Sequence, residues 1–257
     1  MKIGFTERGD GGLDLSWLDK AKTGKCDGVV VISKNLNLRT QAAIYECWNN
    51  ICPIIVHADC TGWGGSAIEP YVPKPATQLH NICDMLLSKF PADHIVLRID
   101  PIFPTPKGLE RVHRLVDAAV ACGILPQCRC RVSIFDEYKH VKERFRSMGY
   151  EPMYGDSFAA SDKMMHNTAA LLNELHTKYG IVFETCAEHK LAQLCPEACR
   201  EQGCLSRTDL EIMGFKYENT FENPQGRNGC HCLGCKTELL ENKHPCKHGC
   251  KYCYWRD

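Results

Sequence analysis

The chain has 257 residues, 44% hydrophobic and 24% charged, enough to bury one sizeable core at a length where β/α barrels often stay undivided. Its 31 basic and 31 acidic side chains cancel, which excludes a global field drawing the protein to nucleic acid or to an anionic membrane. No apolar run is long enough to span a bilayer, and the opening MKIGFTERGD lacks the apolar stretch of a signal peptide, so a cytoplasmic protein with no membrane partner is expected.

Apolar, β-rich runs at 2–6, 28–33, 53–58, 94–100, 130–135 and 181–186 alternate with helix-like stretches at 36–49, 76–89, 107–122, 138–148 and 163–179. Strand, helix, strand in this order predicts parallel βαβ units with right-handed crossovers. The expected fold is α/β: a partial or complete parallel β/α (TIM-like) barrel over 1–190, with a Cys-rich segment over 191–257 packed on it as one integrated domain.

Such barrels carry their reactive groups on loops after the C-terminal ends of the strands. The sequence furnishes those points with Glu7, Arg8 and Asp10; with Lys34 and Asn35; with His57, Asp59 and the turn Thr61-Gly62-Trp63-Gly64-Gly65; with Arg98 and Asp100; with Asp136 and Tyr138; and with Glu184-Thr185-Cys186-Ala187-Glu188. An Asp or Asn before a helix is often only an N-cap, and a glycine pair only a turn. Six strand ends furnished alike are harder to explain that way. The basic stretch Lys139, His140, Lys142, Arg144, Arg146 reads first as a solvated helix face, and second as a local nucleic-acid patch.

Eighteen cysteines in a cytosolic chain point to metal ligation or redox chemistry rather than disulfides. Cys26, Cys47, Cys52, Cys60, Cys83 and Cys122 are scattered and read as small hydrophobes, as do Cys128 and Cys130 in a strand-like run. Ten fall at or after Cys186, in tight spacings. The tail reads Cys246-x-x-x-Cys250-x-x-Cys253, with Tyr252 before its last cysteine. Three thiolates on so short a loop can hold three irons of a 4Fe-4S cubane and leave the fourth open. The rival reading is zinc: these thiols with Cys230, Cys232, Cys235 and one of His231, His244 or His248 could surround one or two tetrahedral ions.

This spacing and its aromatic resemble the radical S-adenosylmethionine (SAM) superfamily. The resemblance implies that SAM's amino and carboxylate groups chelate the open iron. An electron from the cluster, supplied by a donor such as a flavodoxin or ferredoxin, then cleaves the sulfonium bond to a 5′-deoxyadenosyl radical. In that superfamily the motif follows the first strand, whereas here it ends the chain, so the resemblance implies a circularly permuted barrel with the tail beside the first strand.

Arg8-x-Asp10, Lys34-Asn35, Thr61-Gly62, Glu69-Pro70, Val72-Pro73, Arg98-x-Asp100-Pro101, Glu184-Thr185-Cys186-Ala187-Glu188, Cys230-x-Cys232 and the terminal Cys-rich motif with Tyr254 together resemble the family called domain of unknown function 1848. This resemblance too implies a radical-SAM-like C-terminus. Cys195, Cys199, Cys235 and a longer segment before Cys246 depart from the family's pattern.

Cys186, Cys204, Cys230 and Cys232 match family positions outside the tail and could close a second, auxiliary 4Fe-4S cluster, with a zinc brace as the alternative; Cys195, Cys199 or Cys235 could replace members of the set. On the permuted barrel, Glu7, Arg8, Lys34 and Asn35 would bind SAM, with Tyr252 near its adenine. Arg98, Asp100 and Tyr138, with His57 and Asp136, would remain for a substrate the sequence does not name. A nucleobase or DNA modification rests on analogy with the radical SAM barrels of repair lyases. From other classes, a zinc-stabilised binding module touching nucleic acid through 139–146 and Lys243, Lys247 and Lys251, or an iron-sulfur electron-transfer protein, would use the same thiols.

Overall fold

In the computed structural model, residues 1–216, 230–241 and 246–255 are described. The residues His244 and Lys243 of the sequence readings lie outside them. The order is β1 (Ile3–Phe5), α1 (Ser16–Lys22), β2 (Gly28–Ser33), α2 (Leu38–Asn50), β3 (Ile54–Asp59), α3 (Pro75–Leu87), β4 (Ile95–Ile102), α4 (Pro106–Ala121), β5 (Arg129–Ile134), α5 (Lys139–Ser147), α6 (Asp162–Tyr179), β6 (Phe183–Thr185), α7 (His189–Leu194), β7 (Cys199–Glu201), α8 (Arg207–Ile212) and β8 (Lys236–Glu238). No described helix is long and apolar enough to cross a membrane.

Helix starts follow local chemistry. The side chains of Asn37 and Thr105 accept from the backbone N–H of Thr40 and Gly108, with Pro106 preset at the first turn of α4. Ser206 and Asp209 form a reciprocal capping box on α8, and α6 stops at Gly180, whose φ of 69° favours glycine.

The eight strands form one all-parallel sheet in the order β7-β6-β5-β4-β3-β2-β1-β8, surrounded by helices, an α/β architecture consistent with a partial or complete barrel. β7 and β8 are its two edges. The last strand, β8, pairs in parallel with the first, Ile3 opposite Lys236 and Phe5 opposite Glu238, and so sets the segment that precedes the tail beside β1.

Strand alternation sorts side chains between two cores. Val29, Val31, Ile54, Val56, Ile95 and Leu97 pack under the helices, while Phe5, Val30, Ile32, Ile55 and Val96 face the other way, against Leu205, Leu210, Met213 and Leu233. Cys47, Cys60, Cys128 and Cys130 are buried among the first set, as small hydrophobes. Cys195 and Cys199 join that outer core and Cys235 the inner one, so these three stand apart from the sulfur group described below.

Candidate functional site

Toward the C-terminal ends of β3 and β4 the inner face turns from hydrocarbon to charge, and β5 is charged from its start. β3 runs Ile55, His57, Asp59; β4 runs Val96, Arg98, Asp100; β5 runs Arg129, Arg131, Ser133. A cavity of ≈ 1010 Å³ opens above these ends. Its wall includes Glu7, Arg8, Lys34, Arg98, Asp100 and Tyr138, together with Cys186, Cys204, Cys230 and Cys232 and the tail's Cys246, Cys250, Tyr252 and Cys253. One space thus gathers almost every candidate from the sequence. Asn35 is not among the lining residues: its N–H donates to Ser33 Oγ at 2.9 Å and its carbonyl accepts from Thr40 Oγ1, so its backbone shapes the start of α2.

The polar wall is paired. Lys34 Nζ lies 2.9 Å from Asp59 and 3.3 Å from Glu69, and Lys236 Nζ lies 2.6 Å from Glu7. Arg98 is bonded to Asp100, which also accepts from the Ser133 hydroxyl. Burial pushes the Asp59 carboxyl up to about 6 against the opposing pull of Lys34 and Arg98. His57 does not line the cavity: it is fully buried, with its Nε2 3.3 Å from Arg131, so it is a packing residue rather than a substrate contact. Burial, then the charges of Arg131, Arg98, Arg129 and Lys236, hold its pKa well below the ordinary histidine value.

Glu188, which the sequence offered only as part of a strand end, faces the cavity. Burial pushes its carboxyl up to about 8, although its Oε1 accepts from Ile134 N at 2.8 Å. The signal was the acid closing Glu184-Thr185-Cys186-Ala187-Glu188.

Aromatic rings form another wall. Tyr138 stacks on Tyr254 at 5.6 Å and meets Phe158 edge-on at 4.8 Å. Tyr252 is buried against Phe103, and its hydroxyl donates to Glu69.

The tail is stitched down along its length. Both ring nitrogens of His248 are engaged, Nε2 with Asp10 Oδ2 at 2.8 Å and Nδ1 with the Tyr71 carbonyl at 3.3 Å, so His248 has no nitrogen left for the zinc that the sequence offered it as a ligand for. Lys251 N donates to Ile68 O at 2.9 Å. The basic stretch of α5 is neither a simply solvated face nor a row of open cations. Arg144 donates to the carbonyls of Lys251 and Cys253, His140 Nε2 sits 3.1 Å from the Tyr254 carbonyl, and buried Lys142 donates to Gly155 O and Ser157 O.

The two sets of thiols differ in spacing. Cys186, Cys230 and Cys232 have sulfurs all within 4.8 Å of one another and could hold a metal ion or an iron-sulfur cluster; the tail trio is not among the groups drawn so close in the described residues. His189, Glu201 and His231 form a second close group, with Glu201 bonded to each imidazole at 2.6 Å.

The family described as "Domain of unknown function (DUF1848)" matches residues 19–255, a span that contains both thiol sets and most of the cavity wall. No curated protein matches the chain.

Proposed function

Because the chain belongs to the DUF1848 family, whose description leaves the chemistry open, we propose from the site itself that this is a radical SAM enzyme with its 4Fe-4S cluster on Cys246, Cys250 and Cys253. The observation that carries the reading is the convergence of these three cysteines on one large cavity at the C-terminal ends of parallel strands. The donor set fits the group. Three thiols are present, the nearby imidazole of His248 is already committed to Asp10 and Tyr71, and the sulfurs are not gathered around a single ion. When bound, the cluster would supply the electron that cleaves SAM's sulfonium bond.

The chain's own residues then have defined work. The Tyr138–Tyr254 stack with Phe158 offers an apolar wall for adenine, and Glu7 and Arg8, on the loop that faces the tail, are placed for the polar groups of SAM. Arg98, Asp100 and Glu188 line the opposite strand ends and would orient a substrate. Lys34, neutralised by Asp59 and Glu69, supports the wall rather than meeting ligand as a net charge. Aromatic enclosure keeps water from a reactive intermediate.

The test is anaerobic purification and reconstitution, followed by reduction in the presence of SAM. A brown protein that releases 5′-deoxyadenosine and changes its EPR signal on SAM addition supports the reading, with Cys250→Ala abolishing both. A brown protein indifferent to SAM, or a colourless one holding only zinc, overturns it.

A further inference from the structure

Among the described residues the sheet is open between β7 and β8, and the four remaining ligand-type cysteines sit across that opening. Cys186 follows β6, Cys204 follows β7, and Cys230 and Cys232 precede β8. We propose that Cys186, Cys204, Cys230 and Cys232 bind one tetrahedral metal ion, zinc by the chemistry of the donor set, which clasps the two edges of the barrel together.

Spacing separates this from an auxiliary cubane. Cys186 Sγ lies 3.7 Å from Cys232 Sγ, and the sulfurs of Cys186, Cys230 and Cys232 are all within 4.8 Å, with Cys204 outside this close trio and held beside it by its N–H bond to Cys232 Sγ. Zinc–sulfur bonds of about 2.3 Å in a tetrahedron set neighbouring sulfurs about 3.8 Å apart. A cubane binds each thiolate at a different iron, on separate corners, and holds the sulfurs much further from one another.

The backbone is built for the same geometry. Cys204 N donates to Cys232 Sγ at 3.1 Å, the kind of bond that steadies a thiolate. Leu233 N donates to Leu205 O at 3.0 Å, one rung of hydrogen bonding across the seam. Gly203 permits this approach: a Cβ there would lie 2.5 Å from His231 O and 2.6 Å from Cys232 Cα, inside backbone that cannot yield. Arg131 donates to the Cys204 carbonyl at 2.9 Å and offsets the negative charge of a four-thiolate site. Edge strands of three residues each give the seam few ladder bonds, and a metal supplies the missing linkage.

This inference stands whether or not the tail binds a cluster, and the experiment keeps them separate. The full-length Cys250→Ser chain, which removes one tail ligand, is purified and analysed for zinc, iron and acid-labile sulfide, then loaded with Co²⁺ in place of the native metal. One zinc per chain without sulfide, and an intense tetrahedral cobalt–thiolate spectrum, are expected; Cys232→Ser should lose both the zinc and a large part of the thermal stability. Should Cys232→Ser fail to fold, the Cys250→Ser cobalt spectrum still decides. Iron with matching sulfide retained in Cys250→Ser, or four thiols that react freely with no metal bound and no tetrahedral cobalt spectrum, overturns the proposal.

Discussion

Asp10 and His248 meet at 2.8 Å across 238 positions of sequence, and this one contact ties the cysteine loop of the tail to the loop after the first strand. Burial alone would raise the Asp10 pKa, but the hydrogen bond and charge of His248, the Lys34 N–H and the Ser33 hydroxyl outweigh it and leave it lowered. Asp10 Oδ1 accepts from Gly12 N and Ser33 Oγ, and Oδ2 from Lys34 N and His248 Nε2. An asparagine can satisfy only one of these two sets, because its amide would point N–H against N–H at the other. Asp10→Asn should therefore cost about 3 kcal/mol or more in urea unfolding and lower iron retention. The exposed Glu110→Gln, which loses only a surface pair with Arg114, should change stability by less than about 1 kcal/mol.

Arg144 makes a second attachment that can be cut separately. Its NH1 donates at 2.7 Å to the carbonyl of Lys251 and at 3.0 Å to that of Cys253. Hydrogen bonds from a charged donor contribute about 1.5–3 kcal/mol each, so Arg144→Met should loosen the tail by a few kcal/mol locally while leaving the strands intact. Limited proteolysis should cut the variant near the C-terminus much faster than wild type, with unchanged far-UV circular dichroism. Equal cleavage rates would mean that α5 does not hold the tail.

These two contacts also mark where sequence reading stops. The six long-patterned strands were legible because β-branched runs alternate with amphipathic helices, and β2 occupies the very residues 28–33 that its pattern predicts. β1 and β6 are only three residues long but sit inside longer apolar runs, whereas β7, β8, α1, α7 and α8 have no such run around them and were not legible. The site was legible as strand ends and cysteine spacings. Its pairings were not: nothing in Lys139–Ser147 distinguishes Arg144, which grips two carbonyls, from a cation in water, and Asp10 reads locally as a turn residue. The sulfur spacing that favours one ion over a cubane at Cys186, Cys230 and Cys232 belongs to the fold alone, because Cys186 lies on a segment far in sequence from Cys230 and Cys232.

His57 should give the protein an acid-side instability that a single substitution removes. Its pKa is depressed in the folded chain, first by burial and then by Arg131, Arg98, Arg129 and Lys236, so the folded protein keeps it neutral while the unfolded chain protonates it near 6.5. The unfolded state thus binds the extra proton, and stability falls as pH drops below about 6.5, by up to about 1.4 kcal/mol per pH unit from this group, until the depressed folded pKa is reached. Above that pH the contribution is constant. The raised carboxyls of Glu188 and Asp59 act in the opposite sense over the same range, so the test is a difference: in denaturant unfolding between pH 7.5 and 5.0, stability should change less favourably toward acid in wild type than in His57→Gln. A slope unchanged by the substitution would assign the effect to other groups.

Lys34 adds a further link between the tail and the barrel wall, and its removal should be costly in a way a second substitution partly repairs. Its ammonium sits between Asp59 and Glu69, with side chains only 12%, 10% and 1% exposed, and lies 5.7 Å from the centre of the Tyr252 ring. Lys34→Met leaves both carboxylates buried without their cation, a defect worth about 3–5 kcal/mol. Glu69 retains the hydroxyls of Thr61 and Tyr252, so Asp59, whose Oδ1 has no hydrogen-bond partner, should carry most of the loss. Adding Asp59→Asn removes that stranded charge, and the double variant should be more stable than Lys34→Met alone, with a coupling energy of about 1–3 kcal/mol in the double-mutant cycle. Additive losses would mean that Lys34 and Asp59 do not act as a pair, and that the wall is held by Glu69 and Tyr252 instead.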